Sequence, residues 1–163
     1  MRDHRDLSMV GIVFVAALLL SVILFWLTTP LVRDNRELHY RGALEQLSRG
    51  AQLGEPRSVA GSEVERLIPL QGEAGTYLAE VSVMGYRDRV RFLLRLDGNG
   101  TVEGVALLSD SEDPAYDWFL RDPALLTEAF NAPDPAEAVA GATVTVRSMA
   151  DGVNAARRLL EEP

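Results

Sequence analysis

The chain contains no cysteine and no lysine, and its two histidines are His4 and His39. Without cysteine there can be no disulfide, no thiolate-held iron–sulfur cluster and no thiolate metal site. The histidines lie far apart and outside the segment read below as the folded domain. No clustered His/carboxylate spacing supports a metal centre. No nucleophile stands in a visible constellation with a base, so hydrolase chemistry is not indicated. Positive charge is scarce as well: sixteen basic residues, all arginine, face twenty-four acidic ones and leave a formal net charge of −8. That balance argues against a nucleic-acid surface and against a domain lying on anionic lipid. The exclusive use of arginine has no structural explanation. Neither an internal repeat nor a low-complexity segment is present.

What the chain does have, early on, is a long stretch without charge. From Leu7 to Val32 no residue is ionisable, and the run Val10-Gly-Ile-Val-Phe-Val-Ala-Ala-Leu-Leu-Leu-Ser-Val-Ile-Leu-Phe-Trp-Leu27 is almost wholly apolar. About 20 apolar residues suffice to span a bilayer. A cleavable signal peptide would carry an apolar core of about 7–15 residues followed by a small-residue cleavage site. This run is longer and ends in bulky Phe25, Trp26 and Leu27, so residues 1–32 read as a short tail and a retained transmembrane helix, with Trp26 at the interface. Arg2, His4 and Arg5 before the helix nearly balance Arg33 and Arg36 after it, so positive charge alone does not orient it. The remaining length of the 163-residue chain suits one ordinary domain.

Pro30 is expected to close the span. Residues 33–54 then carry Ala43, Leu44 and Leu47 at helical spacing among charges, which predicts a solvated juxtamembrane stalk helix broken by Gly50, Gly54 and Pro56. The domain proper is expected over 55–163. Ile68 and Leu70 suggest a short edge strand around Pro69. Thr76–Met84, Arg89–Leu96 and Thr101–Leu108 read as strands, the last two joined by the tight turn Asp97-Gly98-Asn99-Gly100. Val90, Phe92, Leu94 and Leu96 alternate with Arg89, Arg91 and Arg95, giving a sheet with an apolar face and a polar, solvated one. Two short helices, Pro114–Leu120 and Pro123–Phe130, each begin at proline. A last helix is expected from about Thr145 to Glu161, with Val146, Met149, Val153, Ala156 and Leu160 on one face. The fold class is therefore α+β, with a mainly antiparallel sheet and flanking helices behind an N-terminal anchor and stalk.

The most informative string precedes that last helix: Ala140-Gly141-Ala142-Thr143-Val144-Thr145. Small residues let backbone approach a ligand closely. The hydroxyls follow where a helix begins, and the free N–H groups there favour an anion such as a phosphate ester. Taken alone, the string is equally an ordinary loop-to-helix junction with Thr143 or Thr145 as N-cap.

The same string resembles the Ser-Gly-Ala-Thr flavinylation signature of the FMN-binding subunit of Rnf-type ion-translocating electron-transport complexes. It is also similar to the signature in the covalently flavinylated subunits of the sodium-translocating NADH:quinone reductase. The resemblance extends along the chain in order: an N-terminal span, a charged stalk, Gly85-Tyr86 before an alternating strand, an Asp-Gly turn with a returning strand, Glu112 and Pro114, then Gly-Ala-Thr before a helix. Ala140 stands where these families have serine or threonine, and Glu137 stands where they have aspartate. Ala115 and Asp117 replace both glycines of a Glu-Thr-Pro-Gly-Leu-Gly loop. The acceptor hydroxyl is kept.

The resemblance implies FMN joined through its phosphate to Thr143 by an external magnesium-dependent flavin transferase, with Gly141, Ala142, Thr145, Glu112 and Pro114 around the cofactor. It implies an electron carrier without a complete active site of its own, part of a ferredoxin- and NAD-linked, ion-translocating oxidoreductase. Its partners would be the other membrane redox subunits. The anchor would lie in the bacterial inner membrane with the C-terminal domain on the periplasmic side. Glu112 and Pro114 are also consistent with a plain polar loop, and Tyr116 and Trp118 with one core and one exposed contact rather than stacking on the flavin. Arg89, Arg91 and Arg95 fit a solvated sheet face better than a phosphate site. Two other readings remain open: a flavin-carrying subunit of another respiratory complex, and a cofactor-free, membrane-anchored assembly or scaffold subunit.

Overall fold

The computed structural model describes residues 3–59, 62–109, 118–138 and 143–161; residues 3–12, 27–35, 136, 138 and 143 are described by backbone alone. The chain divides into two compact units, Met1–His39 and Tyr40–Pro163. One helix, α1 (Asp3–Ser48), runs through the boundary. It continues through Pro30, where the sequence suggested a stop. In the first unit its described side chains, from Val13 to Trp26, are all exposed. Among the described residues, no helix is long and apolar enough to cross a membrane.

The second unit is an α+β domain built on an antiparallel sheet. Its strands are β1 (Gln52–Leu53), β2 (Arg57–Ser58), β3 (Val64–Gln71), β4 (Tyr77–Met84), β5 (Arg89–Leu96) and β6 (Val102–Ser109). The order is β1-β3-β4-β5-β6, with β2 also pairing β3. Each of the main strands lies beside the next in sequence, the simplest arrangement for hairpin connections. β3 is longer than Ile68 and Leu70 suggested, and it takes strand partners on both sides. The β5–β6 turn forms as its residues dictate. Asp97 Oδ1 accepts from Asn99 N at 2.9 Å and Thr101 N at 2.7 Å, and Gly100 takes φ +78°.

Side chains alternate across this sheet. Ala79, Val81 and Val83 of β4 and Val90, Phe92, Leu94 and Leu96 of β5 enter one core with Val146, Met149, Val153 and Ala156 of α4 (Thr143–Glu161). Phe92 also stacks on Phe130 of α2 (Pro123–Asn131), ring centroids 6.3 Å apart. α2 starts on an N-cap, Asp122, whose side chain accepts from Ala124 N and Leu125 N, with Pro123 in the first turn. A short 3₁₀ turn, Trp118–Arg121, precedes it, and a one-turn helix, α3 (Pro135–Ala138), leads towards α4.

The opposite face is not solvated as its arginines suggested. The last turns of α1 cover it: Ala43 and Leu47 pack with Ile68, Leu70, Leu78, Leu93 and Ala106. The segment read as a free stalk is thus part of the folded unit from Tyr40 onward. Two charges are buried on this face, Glu80 at 0% and Arg95 at 3% exposure. Glu80 accepts from Arg66 Nε at 2.8 Å and from Tyr40 Oη at 3.3 Å, and it pairs with Arg91. Arg95 pairs with Glu73 and, at 2.7 Å, with Glu103, while its Nη1 donates to Leu47 O at 2.8 Å. Burial of a charge is tolerated only with such complete pairing. Arg95 also satisfies a carbonyl at the C-terminal end of α1, where a cation is favoured.

Candidate functional site

α4 is the element that positions the Gly-Ala-Thr string, and its own position is set by close packing. A Cβ on Gly152 would lie 2.5 Å from Val81 Cγ1 and 2.9 Å from Val83 Cγ1, so glycine lets the helix settle directly on β4. At its far end Arg157 donates to Gly100 O at 2.8 Å and to Phe130 O at 2.9 Å. The helix is therefore tied to the β5–β6 turn and to the end of α2. Asn131 adds a further tie, its side chain exchanging hydrogen bonds with Val102 N at 3.0 Å and Val102 O at 2.7 Å, as an additional strand residue would.

The helix begins at Thr143, two residues before the expected start. Thr143 is thus the first helical residue. Thr145 falls within the first turn rather than at a cap. Its side chain is buried at 4% exposure, and its Oγ1 accepts from Tyr86 N at 3.1 Å. This bond joins residues 59 apart and fixes the β4–β5 turn against the start of α4. No local signal in the sequence announces it. Tyr86 itself is 74% exposed and Val144 is exposed too, so apolar side chains stand free near the helix start.

No acidic residue occupies the first turn of α4. Many helices carry one there, because the N-terminal N–H groups attract negative charge. Here those groups face no resident carboxylate from their own turn, which fits an external anion such as a phosphate ester. Gly141, Ala142, Glu112 and Pro114 lie outside the described residues, as do Ala140 and Tyr116. Of the expected site residues, the structure thus places Thr143, by its backbone, and Thr145 on one turn of helix. Trp118 is exposed and meets Phe119 edge-on, with centroids 6.2 Å apart.

Arg89, Arg91 and Arg95 belong to the sheet face covered by α1. Arg91 pairs with Glu65 and Glu80, Arg95 with Glu73 and Glu103, and Arg89 donates to Ser82 Oγ at 3.4 Å. The charges of Arg91 and Arg95 are already matched. A groove of about 610 Å³ lies where the end of α1 meets β6 and α2, lined by Leu47, Arg49, Glu103, Gly104, Ala124 and Asn131 among others. It includes nothing from α4. Among the described residues there is no cluster of three or more His, Cys, Asp or Glu able to hold a metal ion.

Residues 85–158 match the FMN-binding domain family. The matched segment opens at the β4–β5 turn and runs almost to the end of α4, so it takes in both partners of the Thr145–Tyr86 hydrogen bond. No curated protein matches the chain. The domain match supports FMN as the ligand and a flavin-carrying role.

Proposed function

We propose that this flavin-carrying domain belongs to an electron-carrier subunit of a membrane redox complex, with FMN joined by a phosphoester to Thr143. The observation that carries the reading is the coincidence of two independent facts. The FMN-binding match spans 85–158, and the Gly141-Ala142-Thr143 string inside it ends on the first residue of α4, where a helix presents free N–H groups to an anion.

When bound, FMN supplies the redox chemistry; the chain supplies attachment, orientation and electrostatics. Thr143 is the acceptor hydroxyl, and the first turn of α4 receives the negative charge that the ester retains. Thr145 holds the β4–β5 turn beside it. A hydroxyl of ordinary threonine is a weak nucleophile, so a separate flavin transferase makes the bond. Covalent attachment keeps the carrier loaded in a compartment where free FMN is scarce.

The anchor belongs to the same reading. The uncharged sequence from Leu7 to Val32 exceeds the length needed to span a bilayer, and the described part of it is apolar and exposed on every side of its helix. A helix of that kind needs lipid or protein around it. We place the C-terminal domain on the periplasmic side of the bacterial inner membrane, among the other redox subunits of an ion-translocating complex similar to Rnf. The similarity of Gly141-Ala142-Thr143, of Gly85-Tyr86 and of the order of elements to the FMN-binding component of that complex supports the assignment.

The test is flavin fluorescence of the denatured polypeptide in a gel, after expression in cells containing the transferase. The wild-type band should fluoresce. Thr143→Ala should be dark and Thr145→Ser bright. A dark wild-type band would leave the cofactor-free scaffold as the better description. A reporter fused to the C-terminus, active only outside the cytoplasm, tests the orientation.

A further inference from the structure

The acidic chain has to hold an anionic cofactor, and most of its arginines are already engaged. Within 85–158, Arg91 and Arg95 are in ion pairs, Arg89 and Arg157 donate hydrogen bonds, and Arg87 and Arg121 have interactions of their own. Among the described residues, Arg147 and Arg158 have no such partner. Arg158 lies in the last turn of α4, where a cation complements the helix dipole. Arg147 lies near the opposite end, where the dipole disfavours a cation, and it is exposed. It is four residues beyond Thr143, and residues spaced i, i+4 share one face of a helix about one turn apart.

We infer that Arg147 is the phosphate-recognition residue of this domain, pairing with the anionic ester attached at Thr143. The inference rests on the Thr143-linked FMN reading and adds to it a side chain of this chain's own. The helix N–H groups and the guanidinium would then face the same phosphate from two sides. The unfavourable placement of a cation in the early turns of α4 is offset once the anion is present. A planar guanidinium suits phosphate oxygens better than an ammonium does. During attachment the same pairing holds the incoming phosphate near the acceptor hydroxyl.

The experiment compares wild type, Arg147→Gln, Arg147→Lys and Arg158→Gln, purified without flavin and then loaded by the transferase. Loading is followed by in-gel fluorescence after denaturation, and the ³¹P resonance of the loaded, native protein is recorded. Because Arg147 is exposed, its pair with the ester resembles a surface ion pair, and Arg147→Gln should load about three- to fivefold more slowly. Arg158→Gln should load at the wild-type rate, and Arg147→Lys should recover part of the loss. Rising salt should erase the difference between wild type and Arg147→Gln. The native ³¹P resonance should move towards its denatured position in Arg147→Gln. Bright bands with unchanged rates and an unchanged ³¹P resonance in Arg147→Gln would overturn the inference and leave the Thr143 attachment intact. A dark band in every protein, wild type included, would overturn the attachment and this inference with it.

Discussion

The two faces of the sheet solve the same problem by different means. On the α4 side, apolar side chains from β4 and β5 meet an apolar helix stripe, and the helix is drawn in by the missing Cβ of Gly152. On the α1 side, a smaller apolar cluster shares the interface with Glu80 and Arg95, two buried charges enclosed by partners. Packing of the first kind fixes a helix closely and leaves its N-terminal end free for chemistry. Pairing of the second kind is specific but contributes less net stability, since desolvation offsets much of the attraction. It is the tightly packed side that carries the start of α4, where the ester is placed.

If this contrast is right, the largest loss should come from the apolar face. Phe92→Ala removes a fully buried ring in contact with Phe130 and should cost about 3–5 kcal/mol in denaturant unfolding. Glu80→Gln on the other face should cost less, about 1–3 kcal/mol, because Arg66 and Arg91 are partly exposed and can turn to water. If Glu80→Gln proved the more destabilising, the ordering of the two faces would be reversed.

Gly152→Ala separates close approach from helix propensity. Alanine favours the helix by about 1 kcal/mol over glycine. The crowding against stiff Val81 and Val83 should outweigh that, leaving a net loss of about 1–2 kcal/mol. Thr145→Val keeps the shape and removes the acceptor for Tyr86 N, with an expected cost of about 1 kcal/mol; Thr145→Ser should restore it. The smallest effect concerns pH. Hydrogen bonds from the backbone of Thr101, and then of Asn99, hold the Asp97 carboxyl below its ordinary pKa. Its folded value is lower than its unfolded one, so its contribution is present above the unfolded value and is lost as pH falls through the folded value. Asp97→Ala should flatten the acid limb of the stability profile slightly, without altering the neutral region.

Local rules carried most of the strand reading. Arg89–Leu96 shows its period of two directly, and Asp97-Gly98-Asn99-Gly100 announces its turn by residue type. The polar face was harder, because arginines at alternate positions look the same whether solvated or paired. Glu80, on the same face of a neighbouring strand, is the clue that they would be matched across strands. Pro30 shows the converse: a strong breaker in isolation, it is carried through by a continuous helix. At the site, Thr143 and its helix were legible from small residues followed by hydroxyls. The partner of Thr145 was not, since a bond across 59 residues has no local signature. Arg147 was equally silent; its significance appears only once the other arginines of the domain are seen to be engaged.

Peptide mapping by mass spectrometry of protein from a transferase-containing host tests the central statement most directly. The account predicts that the peptide bearing Thr143 gains the mass of FMN less one water, and that Thr143→Ala abolishes the gain. An unmodified Thr143 peptide from such a host, or the same gain on another residue, would contradict it.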